Sequence, residues 1–255
     1  MKTIQWNIGG GYICAEDADP ERPDSYSVDG IDEIIDFLSK ESADVITLQE
    51  THTNTHLVQA QQIAEKLGYK HWFNDIYDDS HLEDGQRLGQ AVISKLPLRQ
   101  HTFQLFHNPH YTADWDYGTR KIVSHDKGLT TVVAQLPDGT EVMIHTLHMI
   151  PFRPFNINPL SAEARPALDD VQRIVTQKIG QACLLQGDFN IDAESMKSYL
   201  PELFEGGYRE ILQTEITTPK GKRYDHILYG VLELTGSHVN KNVLTDHFPV
   251  IATFE

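Results

Sequence analysis

Cys183-Leu184-Leu185-Gln186-Gly187-Asp188-Phe189-Asn190 reads as a short apolar strand that runs straight into a polar tetrad. Just upstream, Leu168, Val171, Ile174, Val175 and Ile179 keep helical spacing over about residues 161–179, and Gly180 is placed to stop that helix. A helix feeding a buried strand that ends in Asp and Asn is one unit of an α/β or layered α+β domain. Working outward, the same unit recurs. Thr3 to Ile8 reads as an opening strand, and residues 27–40 place Val28, Ile31, Ile34, Ile35 and Leu38 on one helical face. Ala43 to Leu48 follows as a buried strand that ends at Gln49-Glu50.

A further helix is expected over 56–67, with Leu57, Ala60, Ile63, Ala64 and Leu67 on one face and Gly68 as its stop. Strands fit 69–73, 90–94, 98–106, 128–135, 141–148, 223–229 and 249–254. Pro137-Asp138-Gly139 makes the 128–135 and 141–148 pair a hairpin. Residues 74–88, 107–120 and 149–159 read as long loops. The first, rich in Asp and Glu, lacks a ligand spacing and reads as solvated surface. The others carry Tyr111, Trp115, Tyr117, Phe152, Arg153 and Phe155, which either line a cleft or pack the loops down. No repeat or linker composition divides the chain, so residues 1–255 are expected to form one domain.

The chain has 255 residues and a formal net charge of −16, which repels long polyanions. A bound cation or a few local basic residues can still reverse the potential inside one cleft. Cys14 and Cys183, the 2 cysteines, are far apart and lack zinc or redox spacing, as suits a reducing compartment. No run approaches signal-peptide or membrane-helix length, so a soluble cytoplasmic protein without a transmembrane segment is expected.

Hydrolysis of a phosphate ester needs a cation on the phosphoryl oxygens, a group to orient or deprotonate water, and donors for developing charge. Glu50, Asp188 and Asp246 are carboxylates at predicted strand ends, and hard oxygen ligands suit Mg²⁺ or Mn²⁺. Asn7 could add an amide oxygen. Strand-end aspartates also arise as plain turn or cap chemistry.

Read in order, Gln5-Trp6-Asn7, Leu48-Gln49-Glu50, Gly89-Gln90-Ala91-Val92-Ile93-Ser94, Thr146-Leu147-His148, Gly187-Asp188-Phe189-Asn190, Tyr224-Asp225-His226-Ile227-Leu228 and Thr245-Asp246-His247-Phe248-Pro249-Val250 resemble the endonuclease/exonuclease/phosphatase superfamily. That superfamily includes pancreatic deoxyribonuclease, apurinic endonucleases, neutral sphingomyelinases and inositol-polyphosphate 5-phosphatases. The resemblance implies a four-layer α/β sandwich, two packed and mostly antiparallel mixed sheets flanked by helices, with the site where loops from both sheets meet. It implies that Glu50, Asn7 and Asp246 attend a divalent metal, Mg²⁺ or Mn²⁺. Asp188 then orients or deprotonates the attacking water, and Asn190 hydrogen-bonds the phosphoryl oxygen. His247 contacts the phosphate, Asp225 orients His247, and His148 supplies a second imidazole. Thr245 replaces the usual Ser of the closing motif, and His148 is displaced by one from the commoner Thr-His pattern.

An Asp–His pair fixes an imidazole and favours its cation, which suits a group facing phosphate. Of the 13 histidines, that pairing favours His247 and the resemblance adds His148, with His145 and His226 in reserve. Alternation puts His145 on the opposite strand face from His148. Trp6 reads as core, and Arg153 and Arg165 read as exposed arginines or phosphate contacts. The expected function is in-line hydrolysis of a phosphomonoester or phosphodiester. A small or lipid-like substrate is favoured by charge and by the lack of basic runs. A nuclease for short or damaged DNA or RNA is the alternative, and a non-catalytic binding module on the same fold is the second. No protein partner can be named.

Overall fold

The structure, a computed structural model, describes residues 1–115, 120–178 and 180–255. In chain order its strands are β1 (Lys2–Asn7), β2 (Tyr12–Cys14), β3 (Tyr26–Asp29), β4 (Val45–Thr53), β5 (His71–Asp79), β6 (Arg87–Ser94), β7 (Leu98–Leu105), β8 (Thr112–Trp115), β9 (Arg120–Val123), β10 (Gly128–Gln135), β11 (Glu141–His148), β12 (Cys183–Asp188), β13 (Arg209–Glu210), β14 (Asp225–Gly230), β15 (Leu234–Val239) and β16 (Val250–Phe254). The helices are α1 (Ile31–Glu41), α2 (Gln59–Leu67), α3 (Arg165–Val175) and α4 (Pro201–Glu205).

Two 6-stranded sheets hold most of these strands, in the orders β15-β16-β1-β4-β6-β5 and β13-β14-β12-β11-β10-β7. Each sheet is antiparallel except for one inner pair, β1–β4 in the first and β11–β12 in the second. Parallel neighbours need a crossover, and α1 and α3 lie in those two connections. Period-2 alternation then sorts the side chains. Ile4, Trp6, Ile46 and Leu48 leave the first sheet outward and are covered by Ile34 and Leu38 of α1 and by Ala60 and Ile63 of α2. Leu147, Leu185 and Leu228 leave the second sheet outward beneath Leu168, Val171 and Val175 of α3. Val45, Val92, Val132, Ile144, Leu184, Ile227 and Val250 meet between the sheets. Helix, sheet, sheet, helix is the expected four-layer sandwich, and each buried aliphatic chain contributes about 1.5–3 kcal/mol.

Toward one end of the sandwich the same inward positions turn polar. Gln186 Nε2 donates to Thr47 Oγ1 at 2.8 Å and to Thr3 Oγ1 at 2.9 Å. Gln5 Nε2 donates to Gln49 Oε1 at 2.7 Å, and Gln49 Nε2 to Thr146 Oγ1 at 3.0 Å. Buried amides are costly without partners, so this stratum ties the two sheets together while it makes room for charge above it.

Several local expectations change. The helix expected from residue 27 begins at Ile31, and Val28 is 44% exposed on β3. The cause is Gly30, where a Cβ would lie 2.3 Å from Ile13 Cγ2, so β2 and β3 must approach closely before the chain can coil. The next helix begins at Gln59 and not at residue 56. Asn54 Oδ1 accepts the N–H groups of His56 and Leu57 and keeps them in a turn. Residues 74–88 are mostly strand, not loop, since β5 runs on to Asp79 and β6 starts at Arg87. Two of their acidic side chains are held by other parts of the fold, Asp75 by His101 and Thr130 and Asp78 by His125, while Asp79, Glu83 and Asp84 are exposed as expected.

The segment 107–120 contains β8, paired with β9, and Tyr111 packs on Phe155. Tyr117 and Ile179 lie outside the described residues, as does the side chain of Trp115. The helix expected over 161–179 is regular only from Arg165 to Val175. Among the described residues no helix is long and apolar enough to cross a membrane.

Candidate active site

Three strands carry their inward series past the glutamine layer to the end. β1 runs Thr3, Gln5, Asn7; β11 runs Ile144, Thr146, His148; β12 runs Leu184, Gln186, Asp188. Asp225 opens β14. The register puts Asp188 between His148 and Asp225, so all three stand in one row on one face. Gly187 allows that row, because a Cβ there would sit 2.0 Å from Leu147 O.

Glu50 reaches the site differently. Alternation from Gln49 would send it outward with Leu48. A bulge intervenes, since Gln49 pairs with Gln90 and Thr51 with Gly89, which leaves Glu50 unopposed at φ 56°. Bulges beside active sites re-aim side chains in this way, and the left-handed conformation of a non-glycine residue costs about 1–3 kcal/mol. Its carboxylate comes within 3.8 Å of His148 Nε2.

Asp188 is the hub. Its Oδ2 lies 3.0 Å from Asn7 Nδ2, 3.5 Å from His148 Nε2 and 3.7 Å from His247 Nε2. Its Oδ1 accepts the Asn190 N–H at 2.8 Å. Burial pushes its pKa up to about 7, helped by the Asp225 charge and opposed by His247 and Asn7. Asn190 sits at φ 52°, and its Nδ2 donates to Met149 O at 2.9 Å. His247 Nδ1 pairs with Asp225 Oδ2 at 2.8 Å. Burial disfavours the His247 cation, but Asp225, Asp188 and Asp246 hold its pKa well above the usual histidine value. Trp6, buried as expected, secures that loop, its Nε1 donating to His247 O at 2.9 Å.

His148 has the opposite character. Burial, then the charges of Lys127 and His247, push its pKa well below the usual value. Burial alone would raise the Glu50 pKa, yet Lys127, His81, His247 and an Asn7 hydrogen bond bring it below the carboxylate norm. The reserve histidines lie elsewhere: His145 pairs with Thr131 Oγ1, and His226 with the Arg223 carbonyl, edge-on to Phe189.

Asp246 Oδ1 is buried and has no hydrogen-bond partner among the described residues. It faces Gly9, whose φ is +50° and where a Cβ would come within 2.9 Å of that oxygen. The Gly9 N–H in turn binds Asn7 Oδ1 at 3.0 Å. An unpartnered buried carboxylate oxygen near Asn7 and Glu50 fits a hard divalent cation, which would remove its cost. Asp188, Asp225 and His247 also place ligand-type atoms within 4.8 Å of one another. His247 and Asp225 are already spent on each other, and a cationic imidazole offers a metal no lone pair.

Residues 4–247 match the Endonuclease/Exonuclease/phosphatase family. The chain belongs to that family. Members of the endonuclease/exonuclease/phosphatase family hydrolyse phosphoesters and are generally dependent on a divalent metal. The fold is similar to that of the endonuclease/exonuclease/phosphatase from Beutenbergia cavernae DSM 12333, with TM-score 0.72 and 20% identity over 100% of this chain and 71% of that one. It is also similar to the mannosyl-6-phosphatase Bt3783 of Bacteroides thetaiotaomicron VPI-5482, with TM-score 0.60 and 17% identity over 100% and 99%. An AP endonuclease from Archaeoglobus fulgidus gives TM-score 0.64 and 15% identity over 100% and 99%. No curated protein sequence matches the chain significantly.

Within this member of the endonuclease/exonuclease/phosphatase family, two site residues escape sequence reading. Tyr77 and Lys127 are 6% and 3% exposed, and both reach His148. Reading β5 on past Phe73 by alternation would have put Asp75 and Tyr77 inward; Lys127 gives no such signal. Beside Asn190 opens a cavity of about 470 Å³ whose lining includes Arg153, Asn156, Tyr199, Lys222 and Tyr224. Phe152 is buried and Phe155 packs on Tyr111, so those loop aromatics pack rather than line the cavity. Arg165 pairs with Asp169 and the Tyr199 carbonyl, away from phosphate duty.

Proposed function

We propose that the chain is a metal-dependent phosphoesterase acting by in-line attack of a water that Asp188 deprotonates. The carrying observation is the clustering of Asn7, His148 and His247 within 3.7 Å of Asp188 Oδ2. A carboxyl poised near neutral pH can take the proton of water as the new P–O bond forms and the ester P–O bond breaks. Asn190, His148 and the His247 imidazolium, steadied by Asp225, serve as donors to the charge on the phosphoryl oxygens. Glu50, Asn7 and Asp246 would hold Mg²⁺ or Mn²⁺, which supplies charge neutralisation at the phosphoryl group.

The substrate we assign is a small or lipid-like phosphoester, cleaved by a single-domain protein. A 470 Å³ cavity beside Asn190 suits a compact alcohol or headgroup, and a net charge of −16 disfavours long nucleic acid. Two free thiols, Cys14 and Cys183, accord with a cytoplasmic setting. The test is a panel of sphingomyelin, inositol phosphates, nucleotide diesters and oligonucleotides, each with Mg²⁺ and with Mn²⁺. Turnover of a small ester ahead of every oligonucleotide is expected. Faster cleavage of oligonucleotides would move the assignment to a nuclease, and turnover of nothing would leave a binding module.

A further inference from the structure

His148 and His247 flank one carboxylate, yet their other ring nitrogens meet opposite partners. His247 Nδ1 faces the Asp225 carboxylate. His148 Nδ1 faces Lys127 Nζ at 3.1 Å and the Tyr77 hydroxyl at 3.0 Å. Lys127 Nζ also lies 3.5 Å from that hydroxyl and 4.6 Å above the Tyr77 ring. All three side chains are buried and come from separate places, β5, the residue before β10, and the end of β11.

We propose that Lys127 is a positioning residue that holds His148 as its Nε2–H tautomer through the hydrogen bond at Nδ1. An ammonium has three donors and no acceptor, so it can meet Nδ1 only where that nitrogen carries a lone pair. The Tyr77 hydroxyl accepts from Lys127 and donates its own hydrogen to the same lone pair, and nothing in the trio then competes for the opposite arrangement. The ring proton is left on Nε2, which points at Asp188 Oδ2, 3.5 Å away, and Glu50 Oε1, 3.8 Å away. The two imidazoles are thereby divided: His247 brings charge, and His148 brings an oriented N–H without adding a second positive charge beside Lys127. The benefit to turnover rests on the phosphoesterase reading; the tautomer does not.

The experiment is long-range ¹H–¹⁵N spectroscopy of the ¹⁵N-labelled, Mg²⁺-loaded full chain. The expected result is a His148 Nδ1 resonance of the unprotonated type and an Nε2 resonance of the protonated type. Lys127→Met should move the Nδ1 resonance further toward the free-lone-pair position, and Lys127→Arg should restore it. A proton on Nδ1 in the wild type overturns the proposal, whether or not the variants fold; so does an Nδ1 resonance that Lys127→Met leaves in place. In kinetics, Lys127→Met should lower kcat about 10- to 100-fold with little change in KM, as when an orienting partner is lost. An unchanged kcat would overturn the catalytic benefit, while a wild type inactive on every ester would sink the phosphoesterase reading and leave the spectra legible.

Discussion

Asp188 loses its proton near neutral pH because burial, reinforced by Asp225, outweighs the help it receives from His247, Asn7 and the Asn190 amide. Its pKa rises from 3.8 unfolded to about 7 folded. Between those values the native chain keeps a proton that the unfolded chain has lost, so this group makes unfolding free energy fall as pH rises from about 4 to about 7. Asp188→Asn should therefore stabilise the metal-free protein more at about pH 8 than at about pH 5, read from urea denaturation at both. An equal effect at the two pH values would mean that Asp188 is not strained by ionisation. The neighbouring pair makes a second case. Asp225→Asn removes the partner that holds the His247 cation, and kcat should fall about 10²-fold or more while the protein stays folded.

At the scale of elements, the site depends on strands that approach more closely than side chains allow. Gly187→Ala should destabilise the fold by more than about 4 kcal/mol or prevent its recovery in soluble form, because its Cβ would meet the Leu147 carbonyl of the adjacent strand. A variant with wild-type thermal stability would contradict the packing of β11 on β12. Here the sequence was a good guide wherever the period was clean. β1, β10, β11 and β12 alternate or run apolar without interruption, so Asn7 and Asp188 could be placed at strand ends; His148 came from the family resemblance, and the structure makes it the last inward residue of β11. It failed where one residue altered the period. The bulge at Glu50 leaves no compositional trace: its strand-end position and the family resemblance both pointed to that residue, but plain alternation would have turned its side chain outward. Gly30 delayed α1 because of a contact with Ile13, 17 positions earlier in the chain, that no local window contains. The acidic run after Phe73 hid half of β5, and Tyr77 with it, since Asp75 is turned inward to partners on β7 and β10.

Over the whole molecule, two helix-covered sheets share an interior that is apolar at one end, amide-lined in the middle and ionised at the other. The glutamine layer carries the transition, and Gln5 Nε2 extends it to Asp225 Oδ1 at 3.0 Å. Gln5→Leu should cost about 1–3 kcal/mol by stranding the groups it binds, measured as a lower denaturation midpoint. A midpoint at or above wild type would show that the layer is not needed to join the sheets. The surface is strongly acidic, so an anionic substrate needs local cations, and Arg153 at the cavity offers one. Arg153→Ala should raise KM several-fold for esters that carry a second anionic group and leave KM for neutral-tailed esters unchanged; equal KM changes would place the second anion elsewhere. The central claim is that the strand-end cluster hydrolyses phosphoesters with a divalent ion. Its most direct test is turnover of bis(p-nitrophenyl) phosphate by wild type and Asp188→Ala, with Mg²⁺ or Mn²⁺ and again after EDTA. The expected result is metal-dependent turnover by wild type, abolished by EDTA and by Asp188→Ala; equal rates in the two proteins, or turnover indifferent to EDTA, would contradict it.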